Sequence, residues 1–371
     1  MKVGVIAAEM EGPSTGVGRY LQGLFQGLQE WNHGAQWHLF FQRETPAAAP
    51  RAPGFFRHCS EYGGSAVVWE QIVLPRELAR HDLDVVFCPA YSVPPRLRTP
   101  SVVTMHDLSF EVVPREFSFR ERWRRRILAR RAVRRATRVL VDTAHMAALV
   151  QERYRVAADR LAVVPLGIDR RHFSARREGS DQATLDRLGV QPPFFLWLGT
   201  VLERRAPKEV LEAFSRLRRR RPDVGLVMAG ANRLRSPERL SGWIRELGLE
   251  PHVQLLGWVE EGAVGALYRG AEAGIYVSRH EGYGIPPLEC LACGTPVVVS
   301  GGLALDTAWP DYPFRSEELT PDSLEKVMAA AVDPGSWNTE ISAAAAEVLD
   351  GLDWASSSKS LAAELEGAVA V

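Results

Sequence analysis

Glu281 and Glu289 stand eight positions apart in the string Glu281-Gly-Tyr-Gly-Ile-Pro-Pro-Leu-Glu289. Two carboxylates around a turn can act as a general acid and base, or each can accept hydrogen bonds from sugar hydroxyls. Between them, the amides of Gly282, Tyr283, Gly284 and Ile285 at a helix N-terminus would form an anion site. Pro286 and Pro287 suit a first helical turn, where a missing N–H is no loss. A phosphate held there would have a carboxylate on either side, which suits a sugar nucleotide. Gly199-Thr200-Val-Leu-Glu-Arg204-Arg205 is a second constellation. Its guanidinium forks can bind diphosphate oxygens and neutralise charge growing on a leaving group.

Two further strings belong to the first half of the chain. His106-Asp107 ends the apolar run Ser101 to Met105, at the strand edge where open sheets place ligands. Gly12-Pro-Ser-Thr-Gly16-Val-Gly18 follows the first strand-like run and opens an amphipathic helix, so its glycines allow close backbone approach to a phosphate. A nicotinamide site is disfavoured, because the third glycine of the fingerprint would fall at Leu21. Asp82-Leu-Asp84 resembles a metal-binding string but precedes a strand. Cys290-Leu-Ala-Cys293 lacks the second ligand pair a zinc site needs. No metal and no cofactor are expected.

These residues need elements to hold them. Strand-like runs alternate with helical patterns throughout, the mark of βαβ units and parallel sheets. The predicted strands are Val3–Ala7, Trp37–Phe41, Val85–Cys88, Val102–Met105, Val139–Val141 and Leu161–Val164, then Phe194–Leu198, Gly225–Ala229, Val253–Leu256, Gly274–Val277 and Val297–Val299. Leu166 to Pro193 reads as a linker with a short helix. The pattern predicts an α/β chain of two doubly wound, Rossmann-like domains facing each other across a cleft. Residues 1–170 form the first domain, 171–352 the second, and a helix over 353–371 returns to the first. Arg120 to Arg138 is predicted to be one helix carrying ten arginines. Trp123, Ile127, Leu128, Ala132, Val133 and Ala136 form its apolar stripe. The basic face is either solvated or meets anionic lipid or a phosphorylated acceptor.

The 371 residues exceed one comfortable core. With 46% hydrophobic and 24% charged residues the composition is that of a globular protein. Formal net charge is zero, so no global field draws the chain to nucleic acid. Lysine occurs four times among 45 basic residues, an arginine bias that reads as GC-rich, bacterial coding. No signal peptide and no membrane-length apolar run are expected, and four cysteines suggest no disulfide framework. The expected location is cytoplasmic, with peripheral attachment to the inner membrane face left open.

Across nearly its whole length the chain resembles the retaining GT-B glycosyltransferases of family 4, especially bacterial mannosyl- and hexosyltransferases. The resemblance rests on Gly16-Val-Gly18-Arg-Tyr, Thr104-Met-His106-Asp107-Leu, Pro165-Leu-Gly-Ile-Asp169, Gly199-Thr200, Leu267-Tyr-Arg-Gly-Ala271 and the glutamate pair Glu281 and Glu289. It implies that Glu281 holds the donor sugar's hydroxyls and Glu289 the ribose, with Gly282 to Ile285 binding sugar and phosphate through amides. Arg204 and Arg205 would clamp the diphosphate, Gly16 and Gly18 would approach it from the first domain, and His106 with Asp107 would face the sugar. Gly199 and Thr200 would line the donor site, and Trp258 with Val259 would lie near the nucleobase. The family's usual Arg-Lys pair is Arg204-Arg205 here, and its Glu-Pro has become Leu202-Glu203. The implied reaction is metal-independent transfer of a hexose from a nucleotide diphosphate sugar, GDP-mannose or a UDP-sugar, to a hydroxyl acceptor with retention. Alternatives are a sugar-nucleotide epimerase of the same architecture and a catalytically silent partner subunit.

Overall fold

The computed structural model of the chain describes residues 1–12, 16–31 and 34–370. Two compact units divide it: Met1–Gly167 with Leu352–Val371, and Ile168–Gly351. Each is built on one wholly parallel sheet.

In the first unit seven strands lie in the order β3-β2-β1-β4-β5-β6-β7. They are β1 (Lys2–Ile6), β2 (Gln36–Phe41), β3 (Phe55–Cys59), β4 (Val85–Cys88), β5 (Ser101–Thr104), β6 (Arg138–Val141) and β7 (Leu161–Val163). The central strands β4 and β5 are buried along their whole length. Parallel strands covered on both faces read as continuous apolar runs, which is why they were legible. In the second unit six strands follow the order β10-β9-β8-β11-β12-β13. These are β8 (Phe194–Leu198), β9 (Gly225–Ala229), β10 (Val253–Gly257), β11 (Ala273–Tyr276), β12 (Val297–Ser300) and β13 (Arg315–Ser316). Chain order reverses between β1 and β4 and between β8 and β11, and such switch points open a crevice at the strands' C-terminal ends.

Three local expectations are corrected. β3 and β13 were not predicted, because both are edge strands with short, mixed sequences, Phe-Phe-Arg-His-Cys and Arg-Ser. The arginine-rich helix is Phe119–Arg135, since Arg138 already begins β6. Within that helix Ala129, Ala132 and Val133 are buried, whereas Trp123 is 57% exposed and so no part of the core stripe.

The helix Trp354–Val369 packs on the helix Gly16–Trp31. Glycine makes that approach possible: a Cβ on Gly23 would sit 2.1 Å from the Trp354 ring, and one on Gly27 would sit 2.2 Å from the Trp354 carbonyl. Ser358 Oγ donates to the Leu24 carbonyl at 2.8 Å, so the buried hydroxyl is satisfied.

Candidate functional site

In the second unit the loops after β8 and β11 meet at the switch point. β8 and β11 pair directly, with Ala273 opposite Phe195 and Ile275 opposite Trp197. Past their ends the loops are joined by one backbone and one side-chain hydrogen bond: Arg279 N–H donates to the Arg204 carbonyl at 2.8 Å, and Arg204 Nε donates to the His280 carbonyl at 3.2 Å. Ser278 is held from β12 by Ser300, whose hydroxyl accepts from Ser278 N–H at 2.9 Å and donates to its carbonyl at 2.8 Å. Glu281 is thereby fixed five residues beyond the end of β11.

Arg205 is the centre of this junction. It is 9% exposed. Its Nε donates to Glu281 Oε1 at 3.0 Å, Nη2 to the Tyr276 hydroxyl at 2.9 Å, and Nη1 to the Thr200 carbonyl at 3.3 Å. The guanidinium also lies 4.6 Å from the centroid of the Tyr276 ring, a cation–π distance. Arg204 Nη2 reaches the same Glu281 oxygen at 3.4 Å. Two guanidiniums therefore converge on one carboxylate, and Arg205 is bound on every branch of its fork. Burial drives the Tyr276 phenol pKa upward, against the pull of Arg205, so this hydroxyl stays protonated and can accept from the guanidinium. Gly199 has φ 118°, and a Cβ there would meet Arg205 Nη1 at 2.5 Å. Only glycine suits a position that both has positive φ and is pressed against this fork.

The helix Ile285–Ala292 begins after Gly284, whose φ is 86°. Gly282, Tyr283 and Gly284 are buried. Pro286 and Pro287 supply no N–H, so the donors at this helix end narrow to the amides of Gly282 to Ile285. Glu289 lies in the helix's second turn, one position further in than a first-turn residue. It is 1% exposed, with the Tyr268 hydroxyl 3.5 Å from its Oε2. At the C-terminal end of β10, Trp258 is 71% exposed and Val259 half-buried. A large exposed indole beside a strand end offers a stacking face for a flat ring. Cys290 and Cys293 are buried thiols whose pKa values burial pushes up, Cys293 to about 12, so neither is a poised nucleophile.

In the first unit three neighbouring strand ends converge on His106. Nδ1 lies 2.8 Å from Asp142 Oδ2, just after β6, and Nε2 lies 2.8 Å from the Pro89 carbonyl, just after β4. Both partners only accept, so both bonds form when both ring nitrogens carry protons. Burial alone would lower the His106 pKa, but the Asp142 carboxylate, its hydrogen bond, the Pro89 carbonyl and Asp107 together raise it. Tyr20 packs edge-on against the ring with centroids 4.6 Å apart. Asp107 takes a local role, accepting from Ser109 N–H at 2.6 Å and from its hydroxyl. Gly16 starts its helix on the exposed surface and Gly18, two residues along, is buried. The rest of that glycine string, Pro13 to Thr15, lies outside the described residues.

Sequence reading missed Asp142 and Tyr276. Each stands at or just past the C-terminal end of a strand adjacent to one already singled out, and that position was the available signal. Asp82 and Asp84 lie at the opposite sheet edge, where Asp84 accepts from the Lys2 amide at 2.7 Å.

Comparison with known proteins gives two family matches. Residues 14–172 match the model described as Glycosyltransferase Family 4, and residues 186–303 match Glycosyl transferases group 1. Mannosylfructose-phosphate synthase of Agrobacterium fabrum is 27% identical over 217 residues, covering 55% of this chain and 47% of that protein. The chain spans about half the length of the curated relatives it matches. Among solved structures, sucrose-phosphate synthase from Thermosynechococcus elongatus superposes with a TM-score of 0.78 at 16% identity, covering 100% of this chain and 99% of that one. Anabaena HepE in complex with UDP-glucose superposes with a TM-score of 0.74 at 18% identity, covering 99% of this chain and 100% of that one. These likenesses share the fold of two parallel sheets flanked by helices. Matched in turn by two glycosyltransferase models along its length and folded as they fold, the chain belongs with the GT-B glycosyltransferases of the family 4 type.

Proposed function

We propose that the chain transfers a hexose from a nucleotide diphosphate sugar to a hydroxyl acceptor with retention of anomeric configuration. The observation that carries this reading is the convergence of Arg204 and Arg205 on Glu281 at the β8–β11 switch point, beside the Gly282–Ile285 helix end. The guanidiniums and the carboxylate satisfy one another. A diphosphate competes for the guanidiniums, and a sugar's hydroxyls compete for Glu281. Donor binding is thus a partner exchange: arginine turns to phosphate and glutamate to sugar, each replacing one charge-assisted bond by another. The Gly282–Ile285 amides take phosphate and sugar oxygens, Gly199 and Thr200 line the loop, and Glu289 receives the ribose. Trp258 and Val259 lie along the base. From the first unit, the family resemblance nominates His106 and Asp107 for the sugar and Gly16 and Gly18 for the diphosphate.

In the reaction the bond from the anomeric carbon to the diphosphate breaks as the acceptor oxygen attacks the same face. The departing phosphate oxygen takes the acceptor's proton, so no separate protein base is required. Arg204 and Arg205 stabilise the charge collecting on the leaving group. No step is assigned to a metal. The matched families are glycosyltransferases, which favours transfer over epimerisation. HepE was solved with UDP-glucose, and that supports UDP-sugars beside GDP-mannose as donors to test first.

A thermal-shift panel of UDP, GDP, dTDP and ADP sugars identifies the donor, since a ligand bound only to the native state raises its melting point. Transfer is then assayed with and without chelator. Donor binding with neither transfer nor hydrolysis would favour the silent-subunit alternative, and chelator sensitivity would overturn the metal-free mechanism.

No helix among the described residues is long and apolar enough to cross a membrane. Attachment to an anionic membrane surface is proposed for the helix Phe119–Arg135. There Phe119 and Trp123, one turn apart, are 76% and 57% exposed amid arginines.

A further inference from the structure

Three histidines from separate elements gather on one face of the first unit's sheet. His38 lies in β2 and His58 in the edge strand β3, while His81 lies in the turn leading to β4. Parallel pairing sets the first two: Phe40 is opposite His58 and Phe56 opposite His38, so His38, Phe40 and His58 share a face. Buried Phe40 forms the floor, 4.9 Å from the His58 ring and 5.4 Å from that of His81. One ligand-capable atom from each histidine falls within 4.8 Å of the other two, the one such cluster among the described residues.

We propose that His38, His58 and His81 form a binding site for a divalent transition-metal ion of the zinc type. Three imidazoles and no thiolate suit Zn²⁺, Ni²⁺, Co²⁺ or Cu²⁺ rather than Mg²⁺ or Ca²⁺, which favour oxygen ligands. His38 Nδ1 and His58 Nε2 are 3.0 Å apart, with ring planes 2° from parallel. Tetrahedral zinc with Zn–N bonds of about 2.0–2.1 Å spaces its ligand nitrogens by about 3.3 Å. The observed pair, joined by one N–H···N hydrogen bond, is already near that separation; a bound ion would replace that hydrogen bond, and His χ2 is broad enough to turn both nitrogens toward it. Histidine must be unprotonated to ligate. His38 Nε2 is buried with no hydrogen-bond partner, so the cluster is not satisfied by its own contacts.

The ion would tie the edge strand β3 and the turn before β4 to β2, a structural role that leaves the sugar-transfer chemistry to the residues already named. β3 is otherwise held from one side only, and three protein ligands leave a fourth position for water.

The test is calorimetric titration of the full chain, freed of any histidine tag, with Zn²⁺, together with visible absorption of the Co²⁺ form. One Zn²⁺ per chain and a tetrahedral Co²⁺ spectrum are expected. His58→Gln and His81→Gln should each weaken binding at least about tenfold, while the exposed control His145→Gln binds as the parent does. His81 lies in a turn, so H81Q decides the matter if H58Q does not fold. Absence of one-to-one binding, several weak sites, or unchanged affinity in H81Q would overturn the proposal. Failure of sugar transfer alone would not bear on it.

Discussion

At the residue scale, the most consequential pairing is Arg205 with Glu281. Glu281→Ala leaves a buried guanidinium short of its counter-charge, which costs about 3–5 kcal/mol when a buried pair is broken. Turnover on an identified donor should also fall at least about a hundredfold, as when one stabilising donor is lost. Arg205→Ala should lower turnover similarly. Chemical denaturation run beside single-turnover kinetics separates the two effects, and near-normal turnover in both variants would sink the assigned roles. Tyr276→Phe removes one hydroxyl acceptor from the fork, and about 1–3 kcal/mol of stability should go with it. His106 yields a pH prediction. Its folded pKa is raised above the ordinary 6.5, so the native state binds the proton more tightly. The stability this adds is fully present below about pH 6.5 and is lost as pH rises through the elevated folded value. Melting temperature should decline over that window, and the decline should shrink in Asp142→Asn, which removes the charge holding the proton. An unchanged slope in that variant would assign the decline elsewhere.

At the element scale, the C-terminal helix and the helix Gly16–Trp31 depend on each other. Trp354 fills the space left by Gly23, so Trp354→Ala should cost about 3–5 kcal/mol through the cavity it opens. Thermal denaturation of the variant beside the parent checks this, and an unchanged melting temperature would show that the two helices do not depend on Trp354. The arginine-rich helix yields a different experiment. Co-sedimentation with anionic vesicles should be salt-sensitive, weaker with zwitterionic vesicles, and reduced by Phe119→Ala and Trp123→Ala. Equal recovery on both vesicle types would remove the membrane role. Strands β1, β4, β5, β8 and β9 were legible because burial on both faces writes itself as unbroken apolar sequence. Trp123 misled for a related reason: it sits at the right helical spacing, but spacing does not tell a core-facing aromatic from one facing outward.

At the scale of the whole molecule, two separate sheets mean two cores and unfolding that need not be two-state. Saturating donor should stabilise chiefly the second unit, by about 2.7 kcal/mol at a hundredfold excess over Kd. Amide hydrogen exchange should then show new protection in the segments 199–206 and 278–285. Protection confined to the first unit would contradict the site assignment.

The sequence by itself determined the class of fold and the likeness to glycosyltransferases, and it nominated candidates for a donor site around Glu281 and Arg205. Strand periodicity, helix starts and the spacing of Glu281 and Glu289 are local properties, readable within a few turns of chain. Only the tertiary structure decided the pairings. Arg205 reaches Glu281 across 76 positions, His106 reaches Asp142 across 36, and His38 reaches His58 across 20. Those meetings depend on which parallel strands lie side by side and in what register. A crossover connection leaves strand order open among several alternatives, and packing of the whole sheet selects among them.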